Sequence, residues 1–588
     1  MVASTHWLAS AAGMSILERG GNAFDAATAV GFVLQVVEPH LNGPGGEVPV
    51  IAYVAEEDSV AVVAGQGPAP GKATVAHFRD LGLDLVPGTG QLATTVPGAF
   101  DGWMTMLARY GTMRPRDVLE SAIGYARRGY PLVPQICTAI ATVADLFREH
   151  WPSSAAVYLP DGAVPAPGSR LTNPALADTY ERVLAEAEAA GPDREAQIRA
   201  ARDAFYRGFV AEIIDRFAGQ AFMDITGQPR AGVLTGDDLA AWTTPVEPPA
   251  SLSYREYEVF KTGPWGQGPV FLQQLALLSG FDLDSTGPDD PEFVHTVVEC
   301  AKLAFADRDA FYGDPRFVDV PLQALLSAPY ADQRRVLVGP TASDDLVPGA
   351  PDGRPGRLPA IVTHVTPQVG NGPGAVGLGG FGLGEPTVDR YGRTRGDTCH
   401  IDVADRFGNM VSATPSGGWL HSSPVIPELG FGLNTRAQMF WLEEGLPSTL
   451  EPGKRPRTTL TPGLAFRDGK PYLAFGTPGG DQQDQWALLL FLRHVHFGQN
   501  LQQAIDAPAF HTTHFPSSFY PRDRHPREVV AEDRLGEETF AAMRRRGHVV
   551  TDAGPWSLGR LSAVSRGRDG FLRAAANPRG MQGYAVGR

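Results

Sequence analysis

Cysteine is scarce in this chain of 588 residues, and its scarcity excludes two kinds of stabilisation. The three cysteines, Cys137, Cys300 and Cys399, lie far apart and show no Cys-x-x-Cys spacing. Neither a disulfide framework nor a thiolate zinc site is therefore encoded. Unpaired cysteines suit a reducing compartment, and the residues after Met1 lack the basic and apolar regions of a signal peptide. We therefore expect a cytoplasmic protein.

Positive charge and long apolar runs are also lacking. The chain has 50 Lys and Arg residues against 65 Asp and Glu residues, which gives a net charge of −15. This sign is wrong for a protein whose affinity comes from neutralising phosphates. No run of about 18 apolar residues, the length needed to span a bilayer, occurs in the sequence. We expect neither nucleic acid nor a membrane as a partner.

The composition that remains indicates a large, loop-rich mixed α/β protein. Hydrophobic residues make up 43% of the chain, while 68 glycines and 50 prolines predict many tight turns. Asn22 is a candidate cap for a helix with a wide apolar face, and residues 48–54 are typical of a strand. A further helix is predicted over Pro291–Tyr312. Residues 399–414 are typical of two short strands joined by a Gly-Asn turn.

The composition changes sharply just before that hairpin. Residues 370–384 are mostly glycine and have the composition of a linker, and Thr398 opens the first strand soon after it. An N-terminal nucleophile needs this arrangement, because the linker can leave once the bond before Thr398 is cut. An ordinary threonine at a strand edge is the alternative.

Other strings in the sequence do not indicate a cofactor. Residues 372–377 match Gly-x-Gly-x-x-Gly, but no helix follows to hold a pyrophosphate. The histidine pairs 494 with 496 and 511 with 514 lack a His-Glu-x-x-His motif or a carboxylate partner. We therefore expect no nucleotide, no metal and no other cofactor.

A set of motifs in a fixed order covers almost the whole chain. They are Gly-Gly-Asn-Ala-Phe-Asp-Ala-Ala at 20–27, Val-Glu-Pro at 37–39, Asn-Gly-Pro-Gly-Gly at 42–46, Val-Pro-Gly at 96–98, Ala-Lys-Leu-Ala-Phe-Ala-Asp-Arg at 301–308, Tyr-Gly-Asp-Pro at 312–315, Asp-Thr-Cys-His at 397–400, Lys-Arg-Pro at 454–456 and Gly-Thr-Pro-Gly-Gly at 476–480. Together they resemble the gamma-glutamyltransferase (gamma-glutamyltranspeptidase) family of N-terminal-nucleophile hydrolases.

The resemblance implies a fold and a maturation step. The fold is a four-layer αββα sandwich of the α/β class, made as one precursor that cleaves itself. Residues 1–397 would form the large subunit, which ends in the linker 370–396, and residues 398–588 would form the small catalytic subunit. The two subunits would make one composite domain, and assembly into a higher oligomer is compatible with the sequence.

The resemblance also implies the catalytic residues. The Thr398 hydroxyl would attack the Asp397 carbonyl, and cleavage would expose an α-amine that can act as the base. Ser416 stands where the family has a threonine that hydrogen-bonds this amine. Gly479 and Gly480 match the glycines whose backbone N–H groups form the oxyanion hole.

The substrate pocket departs from the family pattern. Thr458 and Thr459 stand where the family usually has two serines, and Gln438 belongs to its Gln-Met pair. Gln66, however, replaces the arginine that grips a glutamyl α-carboxylate, and Trp441 replaces the acid that binds the α-amino group. The resemblance therefore implies weak recognition of a zwitterionic glutamyl group.

Other charges in the sequence could compensate. Arg436, in a short insertion, or Arg457, beside the two threonines, could supply a cation from another direction. Asp481 and Asp484, next to the glycine pair, could instead favour a cationic or less acidic substrate.

We expect a zymogen that becomes an enzyme acting on a small-molecule amide. It would cleave gamma-glutamyl or related amide bonds, as in glutathione metabolism, through an acyl-threonine intermediate and pass the acyl group to water or an amine. One alternative is an acylase of the cephalosporin-acylase type that acts on non-glutamyl N-acyl amides. An alternative of another class is a catalytically silent binding protein on the same scaffold.

Overall fold

The computed structural model describes residues 1–360, 398–579 and 583–588. The predicted linker 370–396 and Asp397 lie outside the described residues. The helices are α1 (Trp7–Glu18), α2 (Ala23–Val37), α3 (Val75–Asp80), α4 (Ala99–Tyr110), α5 (Pro115–Arg128), α6 (Pro134–His150), α7 (Pro152–Tyr158), α8 (Pro174–Ala189), α9 (Arg194–Tyr206), α10 (Phe209–Ala218), α11 (Gly236–Ala240), α12 (Gly268–Leu278), α13 (Pro291–Phe311), α14 (Leu322–Leu325), α15 (Ala328–Arg335), α16 (Gln483–Phe497), α17 (Leu501–Asp506) and α18 (Glu537–Arg545).

The strands form two large sheets and three small ones. They are β1 (Val2–Ser4), β2 (Val48–Val54), β3 (Ser59–Gly65), β4 (Tyr130–Pro131), β5 (Arg170–Leu171), β6 (Phe222–Met223), β7 (Pro229–Arg230), β8 (Val246–Glu247), β9 (Ala250–Tyr254), β10 (Tyr257–Lys261), β11 (Ile401–Ala404), β12 (Met410–Ala413), β13 (Gly463–Arg467), β14 (Lys470–Gly476), β15 (Phe510–Thr512), β16 (Glu528–Ala531), β17 (Val549–Asp552), β18 (Ser562–Arg566), β19 (Leu572–Ala576) and β20 (Tyr584–Val586).

The two large sheets are antiparallel and pack face to face. The first has the order β20-β1-β11-β12-β2-β3-β8, and the second has the order β19-β18-β14-β13-β10-β9. A buried apolar cluster fills the space between them, with members such as Ile51 and Met410 from the first sheet and Leu464 and Val564 from the second.

Helices cover the outer face of each sheet. One large apolar core joins the first sheet to α1, α2, α4 and α5, and another joins the second sheet to α12, α13 and α16. The order of layers is therefore helix, sheet, sheet, helix, which confirms the expected four-layer αββα sandwich.

Local sequence signals explain the elements that hold the site. The Asn22 side chain accepts hydrogen bonds from the backbone N–H groups of Phe24 and Asp25, and the Asp25 carboxylate accepts one from the Asn22 N–H. The predicted helix α2 therefore begins with a capping box. All residues of α2 are buried. The predicted hairpin is also present, because β11 and β12 pair around a turn in which Gly408 has a φ of 98°.

Candidate functional site

Thr398 lies three residues before the start of β11, in the centre of the first sheet. Its backbone forms an antiparallel bridge with Ser416, and only 1% of the residue is exposed. Its Oγ1 atom lies 3.2 Å from Oγ of Ser416. The structure therefore brings together the nucleophile and the hydroxyl partner that the sequence predicts.

Hydrogen bonds hold both the backbone and the side chain of Ser416. Glu47 and Ser416 exchange two backbone hydrogen bonds, of 2.9 and 3.0 Å. The guanidinium of Arg436 donates through Nη2 to the Ser416 Oγ at 2.5 Å, and through Nε to the Glu47 carboxylate. Gly417 has a φ of 75°, and a Cβ there would lie 2.6 Å from the carboxylate. Glu47, Arg436, Ser416 and Thr398 thus form one buried chain of contacts.

The two charged members of this series of contacts, Glu47 and Arg436, have unusual surroundings. Burial raises the pKa of the Glu47 carboxyl from 4.5 to about 7, although the nearby Arg436 opposes the rise. The Arg436 guanidinium also lies 4.8 Å from the ring centre of Trp419 and 5.9 Å from that of Phe519. Arg436 is therefore already engaged with protein groups, which removes it as a clamp for a substrate carboxylate.

The predicted oxyanion glycines lie near the same end of the sandwich. His400, two residues after Thr398, packs against Gly476 so closely that a Cβ at Gly476 would overlap the imidazole ring. Ser412 of β12 donates a hydrogen bond of 3.2 Å to the Phe475 carbonyl. These contacts join β12 and the residue just before β11 to the end of β14. The glycine turn that follows β14 therefore begins beside His400.

Gly479 has a backbone conformation that requires glycine. Its φ is 103°, and a Cβ would overlap the indole ring of Trp486. Within the described residues, the N–H groups of Gly479 and Gly480 donate to no backbone carbonyl. Their role as oxyanion-hole donors stays a prediction.

The two acids beside the glycine pair have protein partners. Asp481 pairs with Arg308 and accepts hydrogen bonds from the Ser518 N–H at 2.8 Å and hydroxyl at 2.6 Å. Asp484 lies 3.3 Å from Nζ of Lys261. Each carboxylate thus pairs with a buried cation of the protein, which speaks against the expectation that the two acids favour a cationic substrate.

The pair of threonines lies where the second sheet meets the glycine turn. Thr458 accepts from the Gln267 N–H at 2.9 Å and donates to the Trp265 carbonyl at 3.1 Å, both through its backbone. The Gln267 amide nitrogen lies 3.5 Å from the Gly480 carbonyl oxygen. Thr459 is fully buried, and its hydroxyl has no hydrogen-bond partner among the described residues.

The two predicted glutamines are buried as well. Gln438 donates to the Thr435 hydroxyl at 3.0 Å and accepts from the Tyr520 N–H at 3.1 Å. Gln66 has only a 3.4 Å contact with the Gly67 carbonyl, and its Oε1 has no partner in the described part of the chain. A neutral, buried amide therefore stands where the resemblance predicts a departure from the family's arginine.

The indole ring of Trp441 stacks against the guanidinium of Arg522. The Arg522 guanidinium lies 4.2 Å from the centre of the Trp441 ring. Arg522 also donates to the carbonyls of Gln438 at 2.7 Å and Phe440 at 3.0 Å. An ammonium group would meet a cation here instead of a carboxylate.

The comparisons with known proteins agree with this geometry. The family model described as gamma-glutamyltranspeptidase matches residues 9–587. The chain belongs to the gamma-glutamyltranspeptidase family. It is 32% identical to the Glutathione hydrolase-like YwrD proenzyme of Bacillus subtilis, over 100% of this chain and 98% of that protein. The family that the motifs indicate is thereby confirmed.

Solved structures extend the similarity. The structure of LmbA2991T421A is 54% identical, with a TM-score of 0.93, over 100% of this chain and 98% of that one. Cephalosporin acylase from Bacillus halodurans is 27% identical, with a TM-score of 0.80, over 99% of this chain and 94% of that one. The gamma-glutamyltranspeptidase membership and these neighbours confirm an autoprocessed N-terminal-nucleophile enzyme of the gamma-glutamyltransferase and acylase type.

A second cluster of chemically active groups lies between α13 and β17. Nδ1 of His295 is 2.8 Å from Nε2 of His548, and Glu299 lies beside them. Nζ of Lys302, however, is 2.6 Å from Oε1 of Glu299. A cation already neutralises this carboxylate, so the arrangement is that of an internal hydrogen-bonded network.

Two remaining sequence expectations concern cysteines and membranes. Cys137, Cys300 and Cys399 are all buried free thiols. In the part of the chain that the structure describes, no helix has both the length and the apolar character needed to span a bilayer.

Proposed function

We propose that cleavage between Asp397 and Thr398 divides the chain into subunits of residues 1–397 and 398–588, and that Thr398 is the catalytic nucleophile. The observation that carries this proposal is the distance of 3.2 Å between the hydroxyl oxygens of Thr398 and Ser416.

Maturation requires no group from outside the chain except water. Oγ1 of Thr398 attacks the Asp397 carbonyl carbon, and its proton passes to the departing amide nitrogen. The C–N bond breaks and leaves an ester between the two residues. Water then hydrolyses the ester, which gives a carboxylate on Asp397 and a free α-amine and hydroxyl on Thr398.

Turnover uses the same hydroxyl with a new base. An α-amine has an ordinary pKa of about 7.7 to 8.0, so near neutral pH it can accept the proton of the Thr398 hydroxyl. The hydroxyl oxygen attacks the substrate amide carbon, and the amine component leaves with the proton. The N–H groups of Gly479 and Gly480 stabilise the oxyanion, and one such donor lowers a barrier by about 3 kcal/mol. Water or an acceptor amine then removes the acyl group.

The pocket favours N-acyl amides over gamma-glutamyl amides. Gln66 supplies no charge for an α-carboxylate, and Trp441, with Arg522 behind it, supplies none for an α-amino group. Loss of a hydrogen bond to a charged group costs about 1.5 to 3 kcal/mol. Similarity to a cephalosporin acylase over nearly the full length supports the same choice. We place the enzyme in the cytoplasm, in keeping with its three free cysteines.

Variants of Thr398 test the proposal. Purified wild-type protein should give two bands on denaturing electrophoresis, and the smaller fragment should begin at Thr398 on N-terminal sequencing. Thr398→Val keeps the shape of the side chain without the hydroxyl and should remain one inactive chain, whereas Thr398→Ser should mature and retain activity. A Thr398→Val protein that matures and turns over substrate would falsify the assignment.

A silent binding protein makes the opposite prediction. It would persist as a single full-length chain and would release no amine from a panel of N-acyl anilides. The same electrophoresis and assay therefore separate the two functional classes.

A further inference from the structure

A small internal cavity lies next to the segment that follows Ser416. Its volume is about 20 Å³. Gln35 in the last turn of α2, Asn42, Tyr130 of β4 and Gly418 are among the residues that line it. A water molecule needs about 10 to 15 Å³ of such space, so the cavity has the size of a single water molecule.

Three of the side chains that line the cavity carry polar atoms without a hydrogen-bond partner among the described residues. These atoms are Nε2 of Gln35, Oδ1 and Nδ2 of Asn42, and the hydroxyl oxygen of Tyr130. At most 2% of each residue is exposed. Buried polar groups that have lost their hydrogen bonds to bulk water are costly unless another partner replaces it. The three side chains therefore call for a ligand inside the cavity.

The polar groups around these atoms are satisfied. Oε1 of Gln35 accepts a hydrogen bond of 2.6 Å from the Tyr180 hydroxyl, which fixes the orientation of the Gln35 amide. Asn173 also lines the cavity, but it donates to the Gly430 carbonyl at 2.7 Å and accepts from the Leu176 N–H at 3.1 Å. The unmet hydrogen bonds are therefore concentrated on one side of the cavity wall and do not reflect loose packing.

The chemistry of the unpaired atoms selects water as the ligand. Gln35 offers an N–H donor, Asn42 offers a donor and an acceptor, and the Tyr130 hydroxyl can act as either. None of the described residues that line the cavity is an aspartate, a glutamate, a histidine or a cysteine, which are the usual ligands of a metal cation. Water both donates and accepts, so it can pair with both kinds of atom.

The cavity adjoins the backbone on which the serine lies. Asn42 begins a turn whose glycines pack directly on residues 416–418. A Cβ at Gly43 would overlap the Gly418 carbonyl, and a Cβ at Gly46 would overlap the Ser416 carbonyl. Because the two segments are in such close contact, a displacement of Asn42 would be passed on to Ser416.

We propose that this cavity binds one internal water molecule. The water accepts hydrogen bonds from Nε2 of Gln35 and from the Tyr130 hydroxyl, and it donates one to Oδ1 of Asn42. Buried water molecules typically make about three such bonds. The water joins the end of α2, strand β4 and the turn that begins at Asn42, and it thereby supports the position of Ser416. This inference does not depend on the proposed function.

A crystal structure of the purified protein, at a resolution that shows ordered solvent, tests the site directly. We expect one water molecule in the cavity, at about 2.7 to 3.2 Å from Nε2 of Gln35, Oδ1 of Asn42 and the hydroxyl oxygen of Tyr130. A cavity without solvent density, or side chains that turn to bond to protein groups instead, would overturn the proposal.

Unfolding measurements give a second test. Tyr130→Phe removes one partner of the water and should lower the denaturant midpoint of the uncleaved Thr398→Val chain. Thr105→Val is the control, because the Thr105 hydroxyl is also buried and without a partner in the described chain but does not line this cavity. Removal of a truly unpaired hydroxyl should leave the midpoint unchanged or raise it. If Tyr130→Phe behaves in the same way as Thr105→Val, the Tyr130 hydroxyl binds no water and the site is refuted.

Discussion

The buried carboxyl of Glu47 makes stability depend on pH in a direction opposite to that of an ordinary salt-bridged acid. Its pKa is about 7 in the folded protein against an ordinary value of 4.5, because burial outweighs the attraction of Arg436. Folding therefore takes up a proton between these two values. The stability that Glu47 contributes is fully present below pH 4.5 and is lost as the pH rises to about 7.

The size of the effect follows from the displacement of the pKa. Each tenfold change in proton affinity corresponds to about 1.4 kcal/mol, so the full loss is about 3 kcal/mol. Glu47→Gln keeps the shape of the side chain and removes the titration. The variant should therefore gain stability relative to the parent protein as the pH rises from 5 to 7, and the gain should level off above that.

Denaturant unfolding of a single covalent chain is the appropriate assay. Both proteins should carry Thr398→Val, because an uncleaved precursor avoids dissociation of subunits during unfolding. The unfolding midpoint is then measured from pH 5 to pH 8 with and without Glu47→Gln. Glu56→Gln, which changes an exposed carboxylate after β2, is the matched control and should follow its parent at every pH.

One outcome would refute the reasoning. If the difference between the parent and Glu47→Gln stays constant from pH 5 to 8, Glu47 is ionised throughout that range. The ion pair with Arg436 would then outweigh the cost of burial.

Three further predictions concern the catalytic geometry. Arg436→Leu should slow both maturation and kcat by about 10- to 100-fold through loss of the charged donor to Ser416, whereas an unchanged KM in rate assays would separate this effect from substrate binding. Ser416→Ala should impair both steps, and Ser416→Thr should restore them in the same gel and anilide assays. Gly479→Ala should reduce kcat by at least about 10²-fold, while Gly469→Ala, at another left-handed glycine with open space around it, should leave kcat unchanged.

Local signals predicted the scaffold well. The capping box of α2, the strand β2 and the hairpin of β11 and β12 each depend on residues close together in sequence. The Thr398 and Ser416 contact could be anticipated for the same reason, because the two residues flank that hairpin. Periodicity and turn chemistry are sufficient where the interacting groups are neighbours along the chain.

The charge partners could not be predicted in this way. Arg436 and Glu47 are 389 residues apart in the sequence, and a hydrogen bond from Asn434 to the Gly45 carbonyl holds their two segments together. Glu47 itself follows a run of glycines and gave no catalytic signal, although an acid in such a turn is unusual enough to be noted. Asp481 and Arg308 are likewise far apart in the sequence, and the packing of the second sheet on α13 brings them into contact.

The pairing of these charges decides what the pocket recognises. Counted from the sequence, two cations and two acids compete near the glycine turn, and no preference follows. In the structure Arg436 is bound to Glu47, while Asp481 and Asp484 are bound to Arg308 and Lys261.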